Sequence, residues 1–139
     1  MKESVGLSFI IGFIATFFGI FIIMFTGSLA YSKAFKAKNN IINIIEANKG
    51  YDSDAAGDIT TNLKNIGYRV DSSSKNSCPS GYGTNLVAAG DYHYCVYREK
   101  TNRGMYYKVI TYMYFDFPII GSHIEFPVSG ETRVLGVWN

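Results

Sequence analysis

Apolar side chains fill the start of this chain on every side, then line one side only, and finally alternate with polar ones. From Val5 to Leu29 there is no charged residue. As a helix, that run of about 25 residues measures about 37 Å, enough to cross a hydrocarbon core of about 30 Å with some tilt. Charge brackets it, with Lys2 and Glu3 before and Lys33 and Lys36 after. Gly6, Gly12, Gly19 and Gly27 lie within it, beside Ser8, Thr16 and Thr26. In water each glycine costs a helix about 1 kcal/mol against alanine, whereas in a membrane small residues let neighbouring helices approach closely. The run predicts a transmembrane anchor over residues 1–30, leaving 31–139 as one domain. Ser28-Leu29-Ala30 has the small-x-small form of a signal-peptide cleavage site, but the apolar stretch far exceeds the roughly 7–15 residues of such peptides.

The pattern then narrows to a stripe. Ala34, Ala37, Ile41, Ile44 and Ile45 recur at three- and four-residue spacing, with Lys36, Asn39, Asn40, Asn43 and Glu46 opposite them. No glycine or proline interrupts residues 28 to 49, so the pattern predicts one helix from about Ser4 to Asn48, apolar all round and then amphipathic. Gly50 supplies its stop. A short independent helix beyond a flexible joint is the competing arrangement. Ile59, Leu63 and Ile66 predict a second helix, capped by Ser53 or Asp54 and ended by Gly67. Asp71 to Gly83, rich in serine, asparagine and glycine with one proline, reads as a surface loop.

The last third alternates. Met105, Tyr107, Val109, Thr111, Met113, Phe115 and Phe117 form one face of a long strand, with Tyr106, Tyr112 and Tyr114 on the more polar face. Tyr92 to Arg98 forms a strand before it, joined through a hairpin loop at residues 100–104. Ile124, Phe126 and Val128 alternate after it, a turn is expected at Ser129-Gly130-Glu131, and Thr132 to Trp138 gives a last strand. Pro127 lacks a backbone donor, which places its strand at an edge or a bulge. The expected fold is α+β: a long N-terminal helix, transmembrane then amphipathic, packed on an antiparallel sheet of about four strands.

A net charge of +2 is too small to suggest nucleic-acid binding by electrostatics alone. The aromatic content of 16% suits a sheet with large amphipathic faces. Cys78 and Cys95 are the two cysteines. A bridge between them would tie the polar loop to the first strand, stabilising by about 3 kcal/mol, and would suit an oxidising location; two separate thiols are the alternative. His93, His123 and the two cysteines lack the paired spacings of zinc sites. Gly81-Tyr82-Gly83 lacks the spacing and the Lys-Ser/Thr of a phosphate loop. The acidic residues are scattered, with no acid–base pair among them. No catalytic, metal, cofactor-binding or small-molecule site is expected, and none for nucleic acid.

A membrane helix running on into an amphipathic helix, a loop with one cysteine, then an antiparallel sheet resembles the type IV pilin and pseudopilin plan. The chain looks closer still to TadE-like pilus-assembly proteins, through Tyr106-Tyr107-Lys108-Val109-Ile110-Thr111-Tyr112 and Phe117-Pro118-Ile119-Ile120-Gly121. The resemblance implies a pilin-like fold, an extracytoplasmic domain, no enzymatic activity, and partners that are the lipid bilayer and other pilin-like subunits met through the helix. Glu3 precedes the apolar run, and cleavage after Gly6 would put Ile11 where processed pilins carry a glutamate. That departure favours an uncleaved or minor component. Lys33, Lys36 and Lys38 after the span pull the domain towards the cytoplasm; the cysteines and the resemblance favour the exterior. A membrane-tethered module that binds a ligand on its aromatic sheet is the rival function.

Overall fold

The computed structural model describes residues 2–68, 78–87, 92–117 and 122–136. One unbroken helix, α1 (Lys2–Ala47), precedes α2 (Ser53–Asn65), and four strands follow: β1 (Thr84–Asn85), β2 (Tyr94–Thr101), β3 (Gly104–Phe117) and β4 (Ser122–Glu131). The sheet is antiparallel throughout, in the order β1-β2-β3-β4. This is the expected α+β arrangement of a long helix on a four-stranded sheet.

Residues 2–26 of α1 are exposed on every side, and burial begins where the sheet arrives. Ala34, Ala37, Ile41 and Ile45 are buried, the spacing that keeps one stripe of a helix facing a partner. No flexible joint separates the two halves. The partner is the face of the sheet formed by Tyr94, Val96, Tyr107 and Val109, and α2 closes the core with Ile59 and Leu63. Thr111 buries its hydroxyl by donating to the Ala34 carbonyl at 3.0 Å.

The helix ends differ in detail from the expectation. The N-cap of α2 is Asp52, whose carboxylate accepts from the Ala55 N–H at 2.8 Å, rather than Ser53 or Asp54. At its other end Gly67 (φ +67°) takes the left-handed position. Its N–H donates to the Lys64 carbonyl, and that of Tyr68 to the Leu63 carbonyl, a Schellman end. In α1 the left-handed residue is Lys49 (φ 57°), not Gly50. A Cβ on Gly50 would stand 3.2 Å from the Tyr107 hydroxyl, so this glycine admits a tyrosine.

The sheet also corrects the sequence reading. β2 and β3 join through a two-residue turn at Asn102-Arg103, with Thr101 facing Gly104. Ser129, Gly130 and Glu131 are not a turn: they extend β4, facing Ile110, Val109 and Lys108. A Cβ on Gly130 would lie 2.9 Å from side-chain carbons of Lys38 and Ile42, so Gly130 marks the close passage of α1. The final strand does not form in the described residues. Thr132 intercepts it, its Oγ1 accepting from the Tyr107 N–H at 3.0 Å, and the Arg133 N–H turns to the Glu46 carboxylate at 2.9 Å. One bridge between Met105 and Leu135 remains, while Trp138 lies outside the described residues. The fourth strand is β1, which the sequence did not suggest. Pro127 stands on the edge strand, facing Tyr112.

Candidate functional site

Each face of the sheet carries a buried cluster. Behind the helix-bearing face, Cys95, Tyr97 and Ile110 form a second buried cluster with Cys78 and Tyr112 against it. The alternation of β2 puts Cys95 and Tyr97 on this side because Tyr94 and Val96 are on the other. Cys78 and Cys95 are joined in a disulfide with Cα atoms 5.8 Å apart. The bridge pins the chain at residues 78–83 over the sheet, helped by the Tyr97 hydroxyl, which donates to the Pro79 carbonyl at 2.6 Å. Tyr82 lies over Tyr97 with ring centres 5.6 Å apart, and the Lys108 ammonium stands 3.9 Å from the Tyr82 ring centre. With both sulfurs in the bridge, neither is a thiolate for a metal or an electrophile.

Of the three tyrosines placed on the polar side of β3, the structure separates one from two. The Tyr106 hydroxyl donates to the Glu99 carboxylate opposite it. That bond pushes its pKa up to about 12. Tyr112 is half-buried, its ring 4.1 Å from that of the buried His93, and its hydroxyl lies 3.9 Å from the Cys95 sulfur. Burial, then the neighbouring Tyr97, then Glu125 raises the Tyr112 pKa. Tyr112 and Tyr114 line one wall of a cleft that the sequence reading missed.

That cleft, of about 310 Å³, opens where β2 stops. Thr26, Leu29, Ala30 and Lys33 of α1 form one wall; Gly67, Tyr68, Tyr112 and Tyr114 form the other. β2 and β3 pair up to Tyr94 and Thr111, and beyond that point the Tyr68 hydroxyl takes the place of a ladder bond. It donates to the His93 carbonyl at 2.7 Å and accepts from the Tyr112 N–H at 2.9 Å. Burial drives the Tyr68 pKa far above its ordinary value, only partly offset by the bond from the Tyr112 N–H. The hydroxyl therefore stays protonated and can serve both partners. A signal for Tyr68 existed: it follows the glycine that ends α2, the position whose side chain commonly folds back on a Schellman end. Nothing in the local pattern showed that it would reach between two strands.

The cleft thus presents aromatic faces, protonated hydroxyls and one ammonium, Lys33, at the foot of the exposed apolar helix. A second depression, of about 410 Å³, is lined by Gly81, Gly83, Thr84, Arg98, Glu99 and Lys100. Its charges are mixed and its glycines make a close turn: a Cβ on Gly83 would run into the Arg98 carbonyl. No protein-family model, no curated protein and no solved structure matches this chain.

α1 is long and apolar enough to cross a membrane once, with its apolar segment unburied by the rest of the chain. The stretch from Val5 to Leu29 accounts for most of the large apolar side chains left exposed. The disulfide fits a domain outside the reducing cytoplasm.

Proposed function

We propose that the chain is a single-pass membrane protein with its domain on the extracytoplasmic side, acting by assembly as a pilin-like, TadE-like minor subunit or assembly component of a surface filament or secretion apparatus. One observation carries the reading: α1 is continuous from Lys2 to Ala47, so the membrane segment is also the spine of the domain. A helix apolar on every side is held equally well in lipid or among other apolar helices, and need not meet water in passing from one to the other. Gly6, Gly12 and Gly19 have open space around them, where another helix can approach. In the membrane, Thr16 and Thr26 satisfy their hydroxyls on the carbonyls of Gly12 and Ile22, at 2.9 Å each.

Two measurements on cells test this reading. A photoreactive amino acid at Phe13, Phe17 or Phe21 should give adducts with further copies or with other single-helix subunits; adducts with lipid alone would refute assembly through α1. A membrane-impermeant thiol reagent should label intact cells only after reduction. Labelling that requires lysis would place the domain inside and end the pilin-like reading.

The rival function, a tethered binding module, draws its support from the cleft of Tyr112, Tyr114 and Lys33. It requires that Tyr114→Ala abolish capture of a ligand while leaving the fold and the α1 adducts intact.

A further inference from the structure

The β3–β4 hairpin descends α1 in register with it, and this fixes its height against a bilayer. Gly130 passes Lys38 and Ile42, Thr111 meets Ala34, and the Phe115 ring lies against Gly27, where a Cβ would come within 2.9 Å of it. Gly27 belongs to the uncharged run. Centred on Phe17, the midpoint of that run, a hydrocarbon core of about 30 Å takes about ten residues each way, from Leu7 to Gly27. The sheet therefore reaches the level at which α1 leaves the hydrocarbon, well below Lys33.

At that level the hairpin is two-faced. Phe115 pairs with Ile124, and Met113 with Phe126, so all four side chains share the face turned to α1, while Tyr114 and Glu125 pair on the other. Phe115 and Phe126 meet edge to face at 6.1 Å. Ile124 is 43% exposed and Phe126 48%, although higher on the same face Thr111 and Val109 are fully buried by the helix. Apolar exposure on this face is concentrated at the end nearest the span.

Resting on the reading that α1 crosses a bilayer, we infer that this end of the hairpin is a second membrane-contact site. Ile124 and Phe126 lie in the interfacial layer of the leaflet from which α1 emerges. Continuity with the spanning helix selects lipid as the occupant: the patch begins at the residue where the helix meets the headgroups, and it faces along the same wall. Glu125, on the opposite face, keeps the contact shallow. Two points of attachment would hold the domain upright.

The test uses the full chain in vesicles of phosphatidylcholine and phosphatidylglycerol carrying a diazirine near the top of the acyl chain. Photolysis should place lipid adducts on peptides from α1 and on the peptide spanning residues 122–128. Adducts on α1 with none on 122–128, or coupling of 122–128 to another copy, would overturn the hairpin contact and leave the anchor standing. Absence of adducts from α1 as well would overturn both. In a Trp138→Phe background, Phe126→Trp should give an indole quenched at least twofold by brominated phospholipid, whereas Tyr82→Trp should not respond. Equal responses would overturn the inference. If Phe126→Trp fails to fold, the adduct map of the unaltered chain decides.

Discussion

Replacing Tyr68 by phenylalanine removes one oxygen and tests how the sheet is held together at the mouth of the cleft. The hydroxyl serves two backbone groups on different strands, the His93 carbonyl and the Tyr112 N–H, and the tyrosine is 7% exposed. A buried backbone group left without a partner costs about 1–3 kcal/mol. Two are orphaned here, but water entering from the cleft can recover part of the loss, so the expected destabilisation is about 2–3 kcal/mol. A domain of this size is stable by about 5–15 kcal/mol in all. The assay is urea unfolding of the full chain in mild detergent, followed by near-ultraviolet circular dichroism. With a slope of about 1–3 kcal/mol per molar urea, the midpoint should fall by about 0.7–3 M at unchanged slope. Tyr106→Phe, which loses only a surface bond to Glu99, should leave the midpoint in place. A Tyr68→Phe midpoint within about 0.3 M of the parent would show that the hydroxyl does not carry the load assigned to it.

The remaining predictions concern the bridge, a turn and alkaline pH. Reducing Cys78–Cys95, which closes a separation of 17 residues, should cost about 3 kcal/mol; under reducing conditions the midpoint should fall and proteolysis should begin near residues 78–87. Gly104 has φ +147° and a Cβ there would strike the Gly136 carbonyl, so Gly104→Ala should destabilise by about 3 kcal/mol in the same assay, detaching residues 134–136 first. Burial raises the pKa of Tyr68 and Tyr94, with the Tyr51 hydroxyl at 3.0 Å adding to the effect on Tyr94. The unfolded chain then releases protons above about pH 10 that the folded chain retains. Stability from these tyrosines is complete below that pH and is lost as pH rises from it towards their folded values. The loss should be up to about 1.4 kcal/mol per pH unit for each tyrosine, with tyrosinate absorbance appearing together with loss of structure. Tyrosinate formation well before unfolding would contradict the burial.

The local features legible in the chain before folding are those carried by period and by chain connectivity. A run without charge, followed by Ala34, Ala37, Ile41, Ile44 and Ile45 on one stripe, specifies helix and the face it buries, because a helix repeats every 3.6 residues whatever lies nearby; that the two halves run on without a joint is decided by the fold. Alternation in β3 likewise decided which side of the strand meets that helix, and Pro127 narrowed its strand to an edge or a bulge, of which the fold takes the edge. Glycine was the ambiguous letter. Gly67 ends a helix as expected, but Gly50 and Gly130, which resemble a stop and a turn, instead make room for Tyr107 and for α1. A missing Cβ serves conformation and close approach equally, and only the neighbour distinguishes them. The pairing of Cys78 with Cys95 was open until the loop was seen lying over the back of the sheet. The last strand failed for a reason the pattern does not contain: the Thr132 hydroxyl takes the Tyr107 N–H, and the carboxylate of Glu46, distant in sequence, takes the Arg133 N–H. The Tyr68 crosslink, the cleft and the descent of the hairpin to Gly27 depend on how far each element travels along another. Those distances are set by tertiary packing, so residues 27 and 115 become neighbours only when the chain is folded.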